Sequence, residues 1–170
     1  MPIVYRFRQT LAALTARLDA CCAELVDQHL TDEQAIAFRE LSQHDQAHLC
    51  RVAQRLITEG DPNEDLIVAA LLHDIGKVST TGRVRLIDRI AKVLLARFAP
   101  RILARLTARP THKWFEGLYL AVKHPAIGAE RAAALGCSQR TCWLIAHHED
   151  AGQLDDDALC QLVAADRETV

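Results

Sequence analysis

Glycine, proline and aromatic residues are scarce in this sequence. Its 170 residues include only 7 glycines, 5 prolines and 5% aromatic side chains, whereas alanine, leucine and arginine are abundant. Because those three residues favour helices and few residues interrupt them, the composition predicts a helical protein. Half of the residues are hydrophobic and 25% are charged, which is typical of a globular domain rather than a disordered chain. The length fits one domain with its own core.

Long apolar runs, a secretion signal and a strong net charge are also missing. No run of 18 apolar residues is present, so no segment is long enough to span a bilayer. The N-terminus lacks a basic stretch followed by an apolar one. The formal net charge of −2 argues against a general nucleic-acid binder. We therefore expect a soluble, cytoplasmic protein without a nucleic-acid partner.

The cysteines show no C-x-x-C spacing, and several fall inside helical apolar patterns. They are Cys21, Cys22, Cys50, Cys137, Cys142 and Cys160. This distribution predicts reduced, mostly packed thiols, as expected in the cytosol.

Apolar residues recur at helical spacing along most of the chain and predict helices throughout, without strands. The expected helices cover residues 3–27, 31–41, 45–58, 64–75, two helices within 83–109 broken at Pro100, 113–123, 125–136, 138–149 and a last helix capped by Asp155. Residues 64–75 are apolar nearly all round, so this helix should cross the core and end at Gly76. Pro125 should begin a new helix and leave His124 at a helix junction. The predicted fold is an all-α, single-domain multi-helix bundle.

The stretch "LLHDIGK", residues 71–77, places two ionisable residues at the end of the most apolar helix. Asp74 would lie in its last turn, where the helix dipole disfavours a negative charge and where burial without a partner is costly. A neutral core pair of His73 with Asp74 is one explanation. A bound cation is another, since it neutralises the aspartate and uses a neutral histidine at the same place.

Other ionisable residues also occupy positions where an apolar residue would pack. They are His48, His124, His147 and Asp166. Each alone fits an ordinary core or surface residue, but together they form a set of imidazoles and carboxylates, one or two from each helix. Such ligands suit Fe, Mn, Zn, Ni or Co. The set predicts one or two divalent transition-metal ions.

The order His48, His73-Asp74 and Asp166 resembles the HD superfamily of metal-dependent phosphohydrolases, and "HDIGK" resembles its HDIG subgroup. The resemblance covers about residues 44–167. It implies that these four residues hold one metal ion, that His124 and His147 add ligands for a second, and that Asp74 bridges the two. It also implies the bundle fold of HD proteins and of related phosphodiesterases.

Two further histidines are candidate ligands by the same resemblance. "HHED", residues 147–150, is similar to the paired histidines of HD-GYP phosphodiesterases, which makes His148 a candidate. His44 lies one turn before His48, where some HD-GYP members carry an extra ligand. The following residues, "AGQLDDDALC", depart from the Gly-Tyr-Pro segment of that group.

The function implied by the resemblance is hydrolysis of a phosphomonoester or phosphodiester, nucleotide-like in character, by a metal-activated hydroxide. Asp74 and Lys77 are the candidate catalytic residues, and Lys77 and Arg167 the candidates for binding a small phosphorylated substrate. Lys77 could instead be a solvated lysine that offsets the helix dipole. Two other functions stay open: a mixed-valent di-iron HD-type oxygenase and a non-catalytic regulatory HD module.

Residues 1–43 are expected to form N-terminal helices that pack on an HD domain of residues 44–170, with an amphipathic insert at about 83–109. The insert carries eight lysines and arginines against one acid, Asp88. Its helices could be part of the core with a basic outer face. Alternatively, residues 83–115 could contact a membrane surface peripherally or a phosphorylated ligand.

Overall fold

The computed structural model describes residues 20–80, 82–109, 115–150 and 155–169. These residues contain no strand, only an isolated antiparallel bridge between Val78 and Arg83. The predicted all-α fold is therefore confirmed. No helix in the described ranges combines the length and apolarity needed to cross a membrane.

Nine helices lie within the described ranges. They are α1 (residues 20–29), α2 (Asp32–Arg39), α3 (Gln43–Glu59), α4 (Glu64–Leu72), α5 (Leu86–Phe98), α6 (Pro100–Leu106), α7 (Glu116–Ala134), α8 (Gln139–His147) and α9 (Asp157–Glu168). The rest of the predicted opening helix lies outside the described residues.

Polar side chains cap the starts of most core helices, as the sequence indicates. Thr31 and Gln34 form a capping box at the start of α2, and Ser138 accepts a hydrogen bond from the Thr141 backbone at the start of α8. The last helix is capped by Asp156, one residue after the predicted Asp155. Each such cap satisfies a backbone N–H that the helix itself cannot pair.

Helix α4 forms the centre of the molecule. Its residues from Leu66 to Leu72 are all buried, and it packs against α3, α8 and α9. Leu25 of α1 and Phe38 of α2 belong to the same hydrophobic core. The apolar character of α4 on every side is explained by this position, as predicted.

Helix α4 ends earlier than predicted, at Leu72, and a 3₁₀ turn follows at Ile75–Lys77. Asp74 therefore lies in the bend between these two elements. Gly76 is not a left-handed cap, since Gly136 is the only described residue with a positive φ. A Cβ at Gly76 would instead lie 2.1 Å from the His124 carbonyl oxygen. Glycine is thus required here by the close approach of α7.

The predicted helix break at Pro125 is wrong, because α7 continues through this residue. Proline has no N–H to donate to the carbonyl four residues earlier, which here belongs to Ala121. The Nδ1 of His124 lies 3.1 Å from that carbonyl oxygen and donates to it instead. The same hydrogen bond fixes the orientation of the His124 ring.

Helices α5 and α6 are separated at Pro100 as predicted, with Pro100 in the first turn of α6. Their orientation differs from that of core helices with a basic outer face. Asp88 is the only buried residue of α5, and α6 has none among its residues. The interpretation of these two helices as part of the core, with a basic outer face, is therefore wrong.

The expectation of reduced cysteines is wrong for Cys22 and Cys50, which form a disulfide. Their Cα atoms lie 5.3 Å apart on α1 and α3. Spacing along the sequence could not reveal this pair, because it depends on how two separate helices pack. The other cysteines are free thiols: Cys21, Cys137, Cys142 and Cys160.

Candidate metal centre

Side chains from five parts of the fold meet at one end of α4. His48 comes from α3, His124 from α7 and Asp166 from α9, while His73 and Asp74 follow the last residue of α4. His148 adds a further ring as the residue that caps the end of α8. These residues form two neighbouring groups.

The first group contains His48, His73 and Asp74, whose potential ligand atoms all lie within 4.8 Å of one another. Asp166 lies next to both histidines of this group. Its Oδ1 lies 2.7 Å from His48 Nε2 and 3.5 Å from His73 Nε2. Two imidazoles and two carboxylates therefore converge at this point.

The second group contains Asp74, His124 and His148, also within 4.8 Å of one another. The Oδ1 of Asp74 lies 3.5 Å from His124 Nε2, and His124 Nε2 lies 3.2 Å from His148 Nε2. Asp74 is common to both groups, which is the position that a bridging carboxylate needs.

Three of these histidines are oriented by hydrogen bonds of the same kind. In each, Nδ1 contacts the backbone carbonyl three residues earlier: Ala70 at 3.1 Å from His73, Ala121 at 3.1 Å from His124 and Ile145 at 2.7 Å from His148. Because a carbonyl only accepts, Nδ1 carries the proton, and the Nε2 of a neutral ring offers its lone pair. Metal-ligating histidines are commonly oriented in this way.

Burial keeps two of the rings neutral. It lowers the pKa of His124 to about 3, and burial together with the positive charge of His73 lowers the pKa of His148 to about 4. With both Nδ1 atoms protonated, two lone pairs face each other across 3.2 Å. Such an arrangement is repulsive unless a cation lies near both nitrogens, so this donor set fits a metal ion.

The two carboxylates are ionised. Burial alone would raise the pKa of Asp74, but the positive charges of His73 and Lys77 hold it far below its usual value. Burial likewise opposes ionisation of Asp166, and hydrogen bonds from His48 and His73 outweigh it and lower its pKa. Two carboxylates beside imidazoles form the mixed ligand set that divalent transition metals favour.

The sequence also matches a known protein family. The family model named HD domain matches residues 45–169. The chain belongs to the HD domain family. No curated protein and no solved structure matches it. The two ligand groups described above both lie within the matched region.

His148, rather than His147, belongs to the candidate metal centre of this HD domain. The Nδ1 of His147 is 3.0 Å from Asp150 Oδ2, and its ring packs on Trp143 at 4.8 Å between centroids. Consecutive residues point about 100° apart around a helix, so the two histidines of "HHED" face different sides. The candidate ligand position therefore moves from His147 to His148.

Lys77, Arg167 and His44 differ in their relation to the centre. The Nζ of Lys77 donates to Asp74 Oδ2 at 2.5 Å, and Lys77 lines the cavity above the ligands. Arg167 is exposed and does not line that cavity. His44 lies at the cavity rim with 79% of its side chain exposed, outside both ligand groups.

The cavity above the centre has a volume of about 230 Å³. Its lining includes five residues that were not predicted to belong to a site: Asp45, Arg51, Arg89, Glu149 and Thr169. A larger cavity, of about 340 Å³, lies beside the Cys22–Cys50 disulfide. No histidine or carboxylate is among the described residues that line it, whereas both groups of candidate ligands contribute to the lining of the smaller cavity.

Helix α5 contributes two cations to the rim of the metal centre. Arg89 donates to Asp45 Oδ1 at 2.6 Å, and Lys92 donates to Glu149 Oε1 at 2.6 Å. Glu149 Oε1 in turn lies 3.7 Å from His124 Nε2. The sequence does carry a signal for these residues, because Asp88, Arg89 and Lys92 share the side of α5 opposite its apolar stripe.

Proposed function

We propose that this HD domain is a metal-dependent phosphohydrolase that acts on a phosphomonoester or phosphodiester. The observation that carries the proposal is the sharing of Asp74 by two groups of ligand atoms. We assign one ion to His48, His73, Asp74 and Asp166. A second ion is assigned to Asp74, His124 and His148.

Bound divalent ions would supply an activated water and withdraw charge from the phosphoryl oxygens. The chain's own residues prepare the site for this chemistry. The carbonyls of Ala70, Ala121 and Ile145 orient the rings. Lys77 keeps Asp74 ionised at the position common to both groups.

Cationic side chains around the cavity support the proposal that the substrate is phosphorylated. Lys77, Arg51 and Arg89 line it, and guanidinium and ammonium groups are common partners of phosphoryl oxygens. Arg89 is held by the buried Asp45, so its position is set before a ligand arrives. A preorganised cation of this kind favours an anionic group without having to be ordered on binding.

The test begins with protein purified without chelator, then stripped and reloaded separately with Mn, Fe, Co, Ni and Zn. Metal content is measured by mass spectrometry, and each form is given a panel of phosphomonoesters, nucleotides and phosphodiesters. We expect metal-dependent release of phosphate or of the leaving group. Turnover with Mn in the absence of oxygen would exclude the di-iron oxygenase.

Asp74→Asn provides the decisive variant, with Asp150→Asn as its control. Asp74 is shared by both ligand groups, whereas Asp150 is exposed and contacts His147. We expect Asp74→Asn to abolish turnover and Asp150→Asn to leave it unchanged. Tight metal binding without hydrolysis of any ester in the panel would contradict the proposal and favour a regulatory HD module.

A further inference from the structure

The two sides of α5 have the reverse of the polarity expected for a surface helix. Its polar side faces the rest of the protein: Asp88 is buried, and a Cβ at Gly117 of α7 would lie 2.1 Å from its Oδ2. Arg89 and Lys92 on the same side pair with Asp45 and Glu149. The polar contacts, rather than an apolar stripe, attach α5 to the core.

The apolar side of α5 faces solvent and continues onto α6. Seven large side chains in these two helices are between 50% and 79% exposed: Leu86, Ile87, Ile90, Val93, Leu94, Phe98 and Ile102. Elsewhere in the described residues, Ile36, Ile57 and Phe115 are the exposed large hydrophobics. Single exposed hydrophobic residues are common, but a contiguous group of this size marks an interaction surface. We call these seven residues the α5–α6 apolar face.

Basic residues surround the α5–α6 apolar face. The exposed ones are Arg83, Arg85, Arg97, Arg101, Arg105 and Arg109. Asp88 is the only acid between residues 83 and 109, and it is turned inward and buried. The exposed surface of this segment therefore combines large apolar side chains with positive charge and no negative charge.

We propose that the α5–α6 apolar face binds the surface of a bilayer that contains anionic phospholipid. Helices with an apolar face and basic residues lie in the membrane interface, where the apolar side chains enter the acyl boundary and the cations remain at the headgroups. Arginines near such a surface are attracted by its negative potential. This inference concerns a surface separate from the metal centre and does not depend on the proposed hydrolysis.

Charge favours a bilayer over a second copy of the chain. In a twofold dimer the same patch meets itself, so the arginines bordering one face would approach those of the other. Arg97 lies within the apolar stripe, between Val93 and Leu94 on one side and Phe98 on the other. An anionic lipid surface neutralises this charge, whereas a second copy repeats it.

The experiment is co-sedimentation of the full chain with vesicles of phosphatidylcholine alone or mixed with phosphatidylglycerol. We expect binding to the anionic vesicles that weakens in high salt. Ile90→Ser combined with Leu94→Ser removes apolar contacts, and Arg97→Glu combined with Arg101→Glu reverses two charges. Each double variant should bind at least about tenfold more weakly.

The controls are Ile36→Ser and Arg39→Glu. Ile36 is 60% exposed on α2, and Arg39 is exposed in a pair with Asp27. Both should bind vesicles as the parent chain does. Far-UV circular dichroism should show unchanged helicity in every variant, since all of the substituted side chains are exposed.

Three results would overturn the inference. The first is that the parent chain fails to sediment with either kind of vesicle. The second is that the control variants lose as much binding as the double variants. The third is a parent dimer in light scattering that Ile90→Ser with Leu94→Ser converts to a monomer while vesicle binding is absent, which would assign the face to a second copy.

Discussion

His124 and His148 face each other through their Nε2 atoms, which lie 3.2 Å apart. One ring comes from the middle of α7 and the other from the end of α8. Each is fixed by a hydrogen bond from Nδ1 to a carbonyl three residues earlier. Two helices thus present a matched pair of nitrogens beside Asp74, and several expected outcomes follow from that pairing and its surroundings.

The two neighbouring histidines of "HHED" should respond differently to substitution. We expect His148→Gln to weaken metal binding by at least about tenfold, because even residues that only support a ligand contribute that much. His147→Gln should leave the metal content unchanged, since its ring packs on Trp143. Metal analysis after dialysis against limiting Mn or Zn measures both. Loss of metal in His147→Gln alone would contradict the structural assignment.

Gly76→Ala should destabilise the fold. The added Cβ would lie 2.1 Å from the His124 carbonyl oxygen and 2.7 Å from the Gly128 nitrogen, so α7 would have to move away. We expect the free energy of unfolding to fall by about 3 kcal/mol, as measured by urea denaturation. The displaced segment includes His124, so metal binding should weaken as well.

Gly60→Ala is the matched control for that experiment. Its Cβ would meet nothing closer than the Leu56 carbonyl oxygen at 4.0 Å, so unfolding should change by no more than about 0.5 kcal/mol. Equal stability of the two variants would show that α7 does not approach the 3₁₀ turn as closely as described.

The pair of Asp45 with Arg89 should make stability depend on pH. Burial alone would raise the pKa of Asp45, but hydrogen bonds from Ser42 and Arg89 hold it below the usual 3.8. A carboxyl whose pKa is lower in the folded state contributes stability at pH values above its unfolded pKa. That contribution disappears as the pH falls through the folded value.

Asp45→Asn should therefore lower the free energy of unfolding by about 2 kcal/mol at neutral pH. The difference from the parent chain should shrink below the unfolded pKa of 3.8. Urea denaturation across this pH range measures both, with the exposed Asp61→Asn as control. A difference that stays constant into acid would show that charge at Asp45 is not its source.

The disulfide can be tested by counting the thiols that react before and after reduction. In denaturant without reductant, the four free cysteines should react with a thiol reagent and the pair Cys22–Cys50 should not. After reduction all 6 cysteines should react. Six reactive thiols before reduction, in protein prepared without reductant, would contradict the pairing.

Loss of this disulfide should also destabilise the chain. The bond closes a loop with a sequence separation of 28 residues, and cross-links of that length stabilise by about 3–4 kcal/mol through the unfolded state. Cys22→Ser should therefore unfold at lower urea concentration under non-reducing conditions. Cys160→Ser, which removes an exposed free thiol, should unfold as the parent does.

Much of the helical fold could be predicted from the sequence because its signals are local. The capping box at Thr31 and Gln34, the apolar character of α4 and the helix break at Pro100 all depend on nearby residues. Pro125 shows where local rules fail. The His124 side chain replaces the missing backbone donor, and a rule for proline alone does not anticipate that exchange.

Only part of the candidate site could be predicted from the sequence, for a related reason. The structure brings together five of the predicted ligands: His48, His73, Asp74, His124 and Asp166. His147 was predicted as a ligand and His148 only as a further candidate, because one residue of difference along a helix turns the side chain to another face. Asp88, Arg89 and Lys92 share one side of α5, but this local pattern does not show that the side packs against Asp45 and Glu149 beside the candidate ligands.

The attachment of α5 through Arg89 and Lys92 also has a thermodynamic consequence. One helix presents its polar side to the cavity rim and its apolar side to solvent, so the proposed phosphorylated ligand and the proposed lipid surface would both act on α5. Linkage between binding sites is reciprocal. Any factor by which a phosphorylated ligand changes the affinity for vesicles must equal the factor by which vesicles change the affinity for that ligand.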